Sequence, residues 1–174
     1  MNFARIFWLL MIAAPIMGLV GCFNSPPKGD ESCKYKAPTA IFEGIDSFQN
    51  HSFEINGQEA LEKVSLPRYK MDIELYQSGC DFLKQEYRFL LYEPYPANTP
   101  PEICAHQIAG IFLLLARDAP IQLGTMRQWA QAIKNAAADF KYNESIPLVG
   151  TDIEAQIDKV HQPESAILSI VFSQ

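Results

Sequence analysis

Hydrophobic and polar residues alternate most regularly between residues 69 and 92. Apolar side chains occupy most of the alternate positions on both sides of Ser78-Gly79, a pair that is typical of turns. The alternation predicts an antiparallel hairpin over about 69–92, with one face in the core and the other in water. The water-facing positions carry both signs of charge, so we expect cross-strand ion pairs there. They are Lys70, Asp72, Glu74, Lys84, Glu86 and Arg88.

A helical period replaces this alternation after the hairpin. Thr99 and Glu102 have the spacing of a capping box, and they precede a helix predicted over about 100–118. Its centre, residues 111–115, is apolar on nearly all sides, which favours a buried core helix. A second helix is predicted over about 125–142, with an apolar stripe on one side. That stripe consists of Trp129, Ile133, Ala136, Ala137 and Phe140.

Shorter segments before the hairpin have weaker patterns. Residues 40–48 fit either a strand or a short helix. Residues 53–55 fit a short strand that stops at an Asn-Gly turn. Asn56 and Glu59 also have capping-box spacing, so a short helix is expected over 60–64.

The end of the chain completes the predicted fold. Residues 151–161 fit a helix or a strand, and the helix is slightly favoured. Residues 166–172 are rich in branched side chains and predict a strand that returns to pair with the hairpin. We therefore expect an α+β fold in which the hairpin and this strand form an antiparallel sheet packed with two or three helices.

The first residues have a third pattern, that of a secretory signal. Arg5 precedes an apolar run over 7–17, and small residues follow before Cys22. The sequence Leu19-Val20-Gly21-Cys22 resembles the lipobox of bacterial lipoproteins. The resemblance covers only residues 1–22, so it concerns location and not the chemistry of the remaining chain.

The lipobox resemblance implies that the Cys22 thiol carries lipid and that the chain is cut after Gly21. Several acyl chains would hold the protein firmly to a membrane, facing the periplasm. Phe23 stands where an Asp would favour the inner membrane in enteric bacteria, so the outer membrane is favoured. An uncleaved signal anchor and an ordinary signal peptide remain as alternatives. The expected division is signal peptide 1–21, acylated Cys22 and tether 22–38, and a single domain 39–174.

Three cysteines remain once Cys22 is acylated, and an oxidising periplasm permits one disulfide among them. Cys80 lies at the predicted hairpin tip, whereas Cys104 follows the far end of the return strand and should start far from it. Cys104 also shares a helical face with Ile108 and Leu115, which favours a buried thiol. We therefore favour Cys33–Cys80, with Cys33–Cys104 as the alternative.

The charge of the chain limits its partners. The formal net charge is −6 over 174 residues, and removal of Arg5 with the signal makes it −7. Such a domain is poorly suited to nucleic acid or to direct adsorption on anionic lipid, and it would suit a basic protein partner. The same charge would also serve simply to keep a periplasmic domain in solution.

Residues with catalytic or metal-binding chemistry are sparse. The histidines are His51, His106 and His161, and none has metal-ligand spacing to another. We find no nucleophile elbow, phosphate loop or dinucleotide motif, so we predict no catalytic residues, no metal and no cofactor. The Pro-rich loop after the hairpin holds Tyr92 and Tyr95, which would suit protein contacts, although Tyr95 could instead fold onto the core.

Two functional hypotheses follow from these features, and neither is an enzyme. The first is a membrane-anchored periplasmic lipoprotein that binds and inhibits an envelope-targeting hydrolase, as envelope immunity proteins do. The second is a structural or accessory lipoprotein in envelope assembly or secretion. Small size, acidic charge and tethering fit both hypotheses equally well.

Overall fold

The fold is α+β, as the sequence predicts. A computed structural model describes residues 33–81 and 83–174; the predicted signal peptide, Cys22 and the tether up to residue 32 lie outside them. Within the described residues, seven antiparallel strands form one sheet and two helices pack against it. The elements are β1 (Gln49–Asn56), β2 (Glu59–Leu66), β3 (Met71–Gly79), β4 (Leu83–Leu91), α1 (Pro101–Asp118), α2 (Met126–Asn135), β5 (Ser145–Pro147), β6 (Glu154–His161) and β7 (Ala166–Ser173).

The predicted hairpin forms the centre of the sheet. Strands β3 and β4 pair in register from Met71↔Leu91 to Gly79↔Leu83. The sheet order is β1-β2-β3-β4-β7-β6-β5, so the C-terminal strand β7 pairs with β4. The expectation that this strand returns to the hairpin is therefore confirmed.

The short helix expected over 60–64 is wrong, because this segment is strand β2. Its buried positions alternate as Ala60, Glu62, Val64 and Leu66, a period of two that pairs along the whole of β3. The preceding Asn-Gly is a hairpin turn between β1 and β2, with Gly57 at a φ of +62°. Tertiary pairing overrides the capping-box spacing at this point.

The slight preference for a helix over 151–161 is also wrong. Strand β6 occupies Glu154–His161 and pairs with β7, with Ile157 opposite Ile170. Ala155 and Ile157 are both fully buried on one face of the sheet, as strand alternation requires. Residues 40–48 form turns that end in the first residues of β1.

The two predicted helices are present with altered ends. Helix α1 begins at Pro101, and the Thr99 hydroxyl donates to the Pro96 carbonyl at 2.7 Å, so the expected capping box is not formed. Helix α2 ends at Asn135, earlier than predicted, and a 3₁₀ turn follows at Ala137–Asp139. The apolar stripe of the second helix faces the core, although Trp129 is only half-buried.

One continuous core lies between the sheet and the helices. Its centre is a cluster of rings in which Tyr87 and Phe112 meet edge to face, with centroids 5.1 Å apart. Trp129 and Phe172 complete the cluster, with centroids 5.0 Å apart. Burial raises the pKa of the Tyr87 hydroxyl. Neither helix of the described ranges is apolar and long enough to cross a membrane.

Candidate functional site: the open face of the sheet

The two faces of the sheet have different coverings. Helices α1 and α2 cover one face, together with the N-terminal segment (residues 33–48), which places Phe42, Ile45 and Phe48 in the core. Along β3 every second residue is buried, whereas the intervening Asp72 is partly exposed. We call the side bearing these intervening residues the open face, because neither helix covers it.

Strand register arranges the open face in rows that cross the sheet. One row joins Lys63, Glu74, Arg88, Ser169 and Asp158 on successive strands from β2 to β6, and all of these except Ser169 are charged. Neighbours across such a row have Cβ atoms about 4.5–5.5 Å apart. Charge alternates along Lys63, Glu74 and Arg88, and the neutral Ser169 separates Arg88 from Asp158.

A second row on the open face is polar at one end and apolar at the other. Ser65 on β2 and Asp72 on β3 form the polar end, and Leu90, Ile167 and Val160 follow on β4, β7 and β6. We call the last three residues the apolar row. Val160 is 48% exposed, and Leu90 and Ile167 are half-buried. Apolar side chains in this position suit contact with another molecule.

Ion pairs form on the open face, but not between the two hairpin strands as the sequence suggested. Lys63 on β2 donates to Glu74 at 2.8 Å, and this bond raises the pKa of Lys63. Arg88 donates to Glu86 on its own strand at 2.6 Å and lies 4.4 Å from the ring centre of Tyr76. Both pairs are partly solvated, so each contributes about 0–1 kcal/mol to stability.

Negative charge predominates on the open face once these pairs are formed. Lys63 and Arg88 are already engaged with carboxylates, while Asp72 has no cationic partner within 33–81 and 83–174. Asp72 instead accepts a hydrogen bond from Tyr92 at 2.7 Å, which raises the pKa of that phenol. The carboxylates of this face are Glu54, Glu59, Asp72, Glu74, Glu86, Glu154 and Asp158, and the cations are Lys63, Lys84 and Arg88.

Hollows on this face are shallow and open to solvent. One of about 220 Å³ is lined by Tyr76, Lys84 and Glu86, and its neighbour of about 320 Å³ is lined by Glu54 and Leu61. Small-molecule sites are usually enclosed and mostly apolar. The shallow shape of this surface fits contact with a macromolecule better than binding of a small ligand.

The structure separates the two tyrosines that were predicted to contact a partner. Tyr92 is 51% exposed and, through its bond to Asp72, extends the open face beyond the end of β4. Tyr95 packs against the core, and its burial, with Cys104 nearby, raises its pKa to about 12. Their role in binding stays a prediction, for which Tyr92 is the better placed.

The loop between β4 and α1 is held in place by strand β6. The Lys159 ammonium donates to the carbonyls of Pro96 at 3.1 Å and Ala97 at 2.7 Å. A ring nitrogen of His161 lies 2.7 Å from the Tyr95 carbonyl. These bonds fix residues 95–97 on the body of the domain. The Tyr92 amide donates separately to the Lys70 carbonyl at 3.0 Å, so the backbone that carries Tyr92 is also pre-organised.

The cysteines are arranged as the sequence favoured. A disulfide joins Cys33 to Cys80, and the Tyr35 amide donates to the Cys80 carbonyl at 2.9 Å. These contacts attach the last part of the predicted tether to the sheet. Cys104 is a buried free thiol on α1, 2.9 Å from the Tyr142 hydroxyl.

Sequence reasoning missed one buried carboxylate. Glu62 is fully buried on the covered face of β2, where it accepts hydrogen bonds from the amides of Ile41 and Phe42, both at 2.9 Å. His51 lies 2.7 Å from the same carboxylate. The signal in the sequence was an acidic residue at a core position of an alternating strand, which the helical interpretation concealed.

The covered face also buries Gln77, whose amide donates to the Thr39 carbonyl at 3.1 Å. Both buried polar side chains thus hold the N-terminal segment against the sheet, and their role is structural. Across the described ranges, no three potential metal ligands lie close together. Comparison with protein-family models, curated proteins and solved structures finds no match.

Proposed function

We propose that this protein is a lipid-anchored envelope protein that binds a basic protein through the open face of its sheet. The observation that carries the proposal is the composition of that face, where the apolar row lies beside Asp72, a carboxylate with no cationic partner among the described residues. An apolar centre with a charged surround is the usual anatomy of a protein interface. The proposed partner is a hydrolase that attacks the cell envelope, and binding would inhibit it.

Tethering at Cys22 would restrict where the domain can act. Ten residues lie between Cys22 and Cys33, so eleven Cα–Cα steps join them, a reach of at most about 40 Å. Cys33 is bonded to Cys80 at one end of the sheet. That end of the sheet would therefore stay close to the membrane, in the space that an envelope hydrolase must cross.

The acidic charge supports a basic partner for a kinetic reason. Enzymes that act on anionic wall polymers or lipids benefit from positive charge, and an acidic surface would steer them into encounter. Inhibition requires only that a complementary surface cover the partner's active site. The open face supplies such a surface on a rigid sheet.

The test is a pull-down with the chain from Ser25 onwards as bait, against envelope extract and secreted proteins of the same strain and its competitors. We expect one basic hydrolase in stoichiometric amount, with its activity lost in the complex. Capture of resident envelope proteins alone would contradict inhibition and favour the accessory role in assembly or secretion. An empty bait would contradict both.

A matched pair of variants tests the surface itself. Glu59→Lys with Asp72→Lys reverses two charges on the open face and should weaken capture about tenfold or more. Glu43→Lys with Glu164→Lys makes the same change of net charge at exposed positions outside that face, and it should leave capture unchanged. Equal effects of the two pairs would show that net charge, not this surface, governs binding.

The anchor is tested separately. We expect Cys22→Ser to yield an uncleaved chain without acyl label. Unchanged labelling of this variant would refute lipidation at Cys22 while leaving the binding surface untouched.

A further inference from the structure

The outward side of helix α1 carries apolar residues that nothing in the described chain covers. Ile103 is 49% exposed and Leu113 is 38% exposed. A groove of about 370 Å³ on the same side is lined by Ile103, His106, Gly110 and Leu114. A helix in a small domain normally turns its polar side outwards, so this surface requires a different explanation.

Gly110 lies at the centre of this side of the helix. At 100° per residue, Ile103, Gly110 and Arg117 fall within about 20° of one line along α1. A Cβ atom built on Gly110 would meet no atom within 4 Å. A second helix could therefore approach the backbone most closely at Gly110, midway along the exposed stripe.

The charges at the two ends of the stripe are complementary to each other. Glu102 lies in the first turn, about 12 Å before Gly110, and Arg117 lies in the last turn, about 10.5 Å after it. Both side chains are mostly exposed, with 56% and 63% of their surface accessible. Both residues also lie on the same side of the line that runs along α1 through Gly110, and they are about 60° apart around the helix.

We propose that α1 pairs with α1 of a second copy of this chain in an antiparallel, two-fold symmetric contact centred on Gly110. The symmetry brings Glu102 of each copy level with Arg117 of the other, so that two ion pairs form. Leu113 and Leu114 of each copy meet His106 and Gln107 of the other and close the groove. A parallel contact would instead place like charges together.

Arg117 is suited to this role because its position is already fixed. Its guanidinium donates to Asp118 at 3.1 Å and to the Tyr69 hydroxyl at 2.8 Å. These bonds hold the cation at the end of α1, so less side-chain entropy is lost on pairing. The contact lies on a helix and does not use the open face, so it is independent of the proposed function.

Association is measured by sedimentation equilibrium on the chain from Ser25 onwards, which contains the entire core and the disulfide. We expect a concentration-dependent dimer. Glu102→Arg should raise the dimer dissociation constant about tenfold or more, because both symmetric contacts become repulsive. Arg117→Glu should do the same, and the double reversal should restore dimerisation. Glu164→Arg, a charge change outside α1, serves as the control.

Gly110→Lys tests the centre of the contact without endangering the fold. Lysine is a better helix former than glycine and the site has free space, so thermal unfolding should be unchanged or improved. Dimerisation should nevertheless be lost, since two like charges would meet on the symmetry axis. A monomer at all concentrations would overturn the proposal, and so would a dimer that Gly110→Lys and Glu102→Arg leave intact.

Discussion

The covered and open faces of the sheet share the same strands but differ in how far their side chains are buried. On the covered face Leu168 of β7 is fully buried beneath the helices. On the open face Leu90 of β4 remains half-buried with no helix over it. The same chemical type thus stabilises the fold on one side and is available to a partner on the other.

Polar residues also occur on both faces, but in different surroundings. Glu62 and Gln77 lie in the covered face, yet each is hydrogen-bonded to the N-terminal segment. A buried polar group without partners would be costly, and these partners remove that cost. Carboxylates of the open face, such as Asp72, keep contact with water and are free to meet another molecule.

The strongest test of this comparison removes one leucine from each face. Leu168→Ala should lower the free energy of unfolding by about 2–5 kcal/mol, because it leaves a cavity in the core. Leu90→Ala should cost less than about 1 kcal/mol, because its site is partly solvated already. Urea denaturation of both variants measures the difference. Equal losses would show that the open face is covered in the native protein.

The next test concerns the attachment of the N-terminal segment. Cys33→Ser and Cys80→Ser should each lower the free energy of unfolding by about 2–4 kcal/mol, since the disulfide closes a loop of 47 residues. A reducing agent should bring the wild-type protein to the same level. Cys104→Ser, which removes the buried free thiol, is the control. Its loss of unfolding free energy relative to the wild-type protein in the same buffer should be the same with and without reductant. Unequal effects of Cys33→Ser and Cys80→Ser would contradict a shared bond.

A smaller effect is expected at the buried carboxylate. Glu62→Gln should cost about 1–3 kcal/mol, because an amide offers one acceptor oxygen to donors that two carboxylate oxygens now satisfy. Exchange of the Phe42 amide hydrogen should quicken in parallel. The same substitution at Glu74 on the open face should change stability by less than about 1 kcal/mol. If Glu62→Gln left the free energy of unfolding unchanged, the N-terminal segment would be held by its apolar contacts alone.

The sequence predicted the strongly periodic elements well. The hairpin, helix α1 and the strand at 166–172 were all found, because each buries a continuous apolar face with one period. Strand β2 was missed because Asn56 and Glu59 have the spacing of a helix cap. Strand β6 was missed because residues 153, 155 and 157 fit two periods, and only pairing with β7 selects one of them.

The candidate site could be predicted only in part. Alternation in the hairpin indicated a charged face, and the position of Tyr92 followed from the end of the strand. The apolar row depends on the register of β4, β7 and β6, which join distant parts of the chain. No local pattern connects Leu90 with Ile167 and Val160, so the row is invisible until the strands are paired.

The sequence by itself determined the fold class, the hairpin and the acidic charge, because each depends on composition or on short-range periodicity. It favoured the Cys33–Cys80 pairing over Cys33–Cys104, but this bond joins residues 47 apart and is fixed only by the folded sheet. Tertiary structure alone decided which face stays open and which side chains meet on it. The physical reason is that strand pairing and helix docking are long-range. They bring Glu62 to the amides of residues 41 and 42 and set Asp72 beside the apolar row.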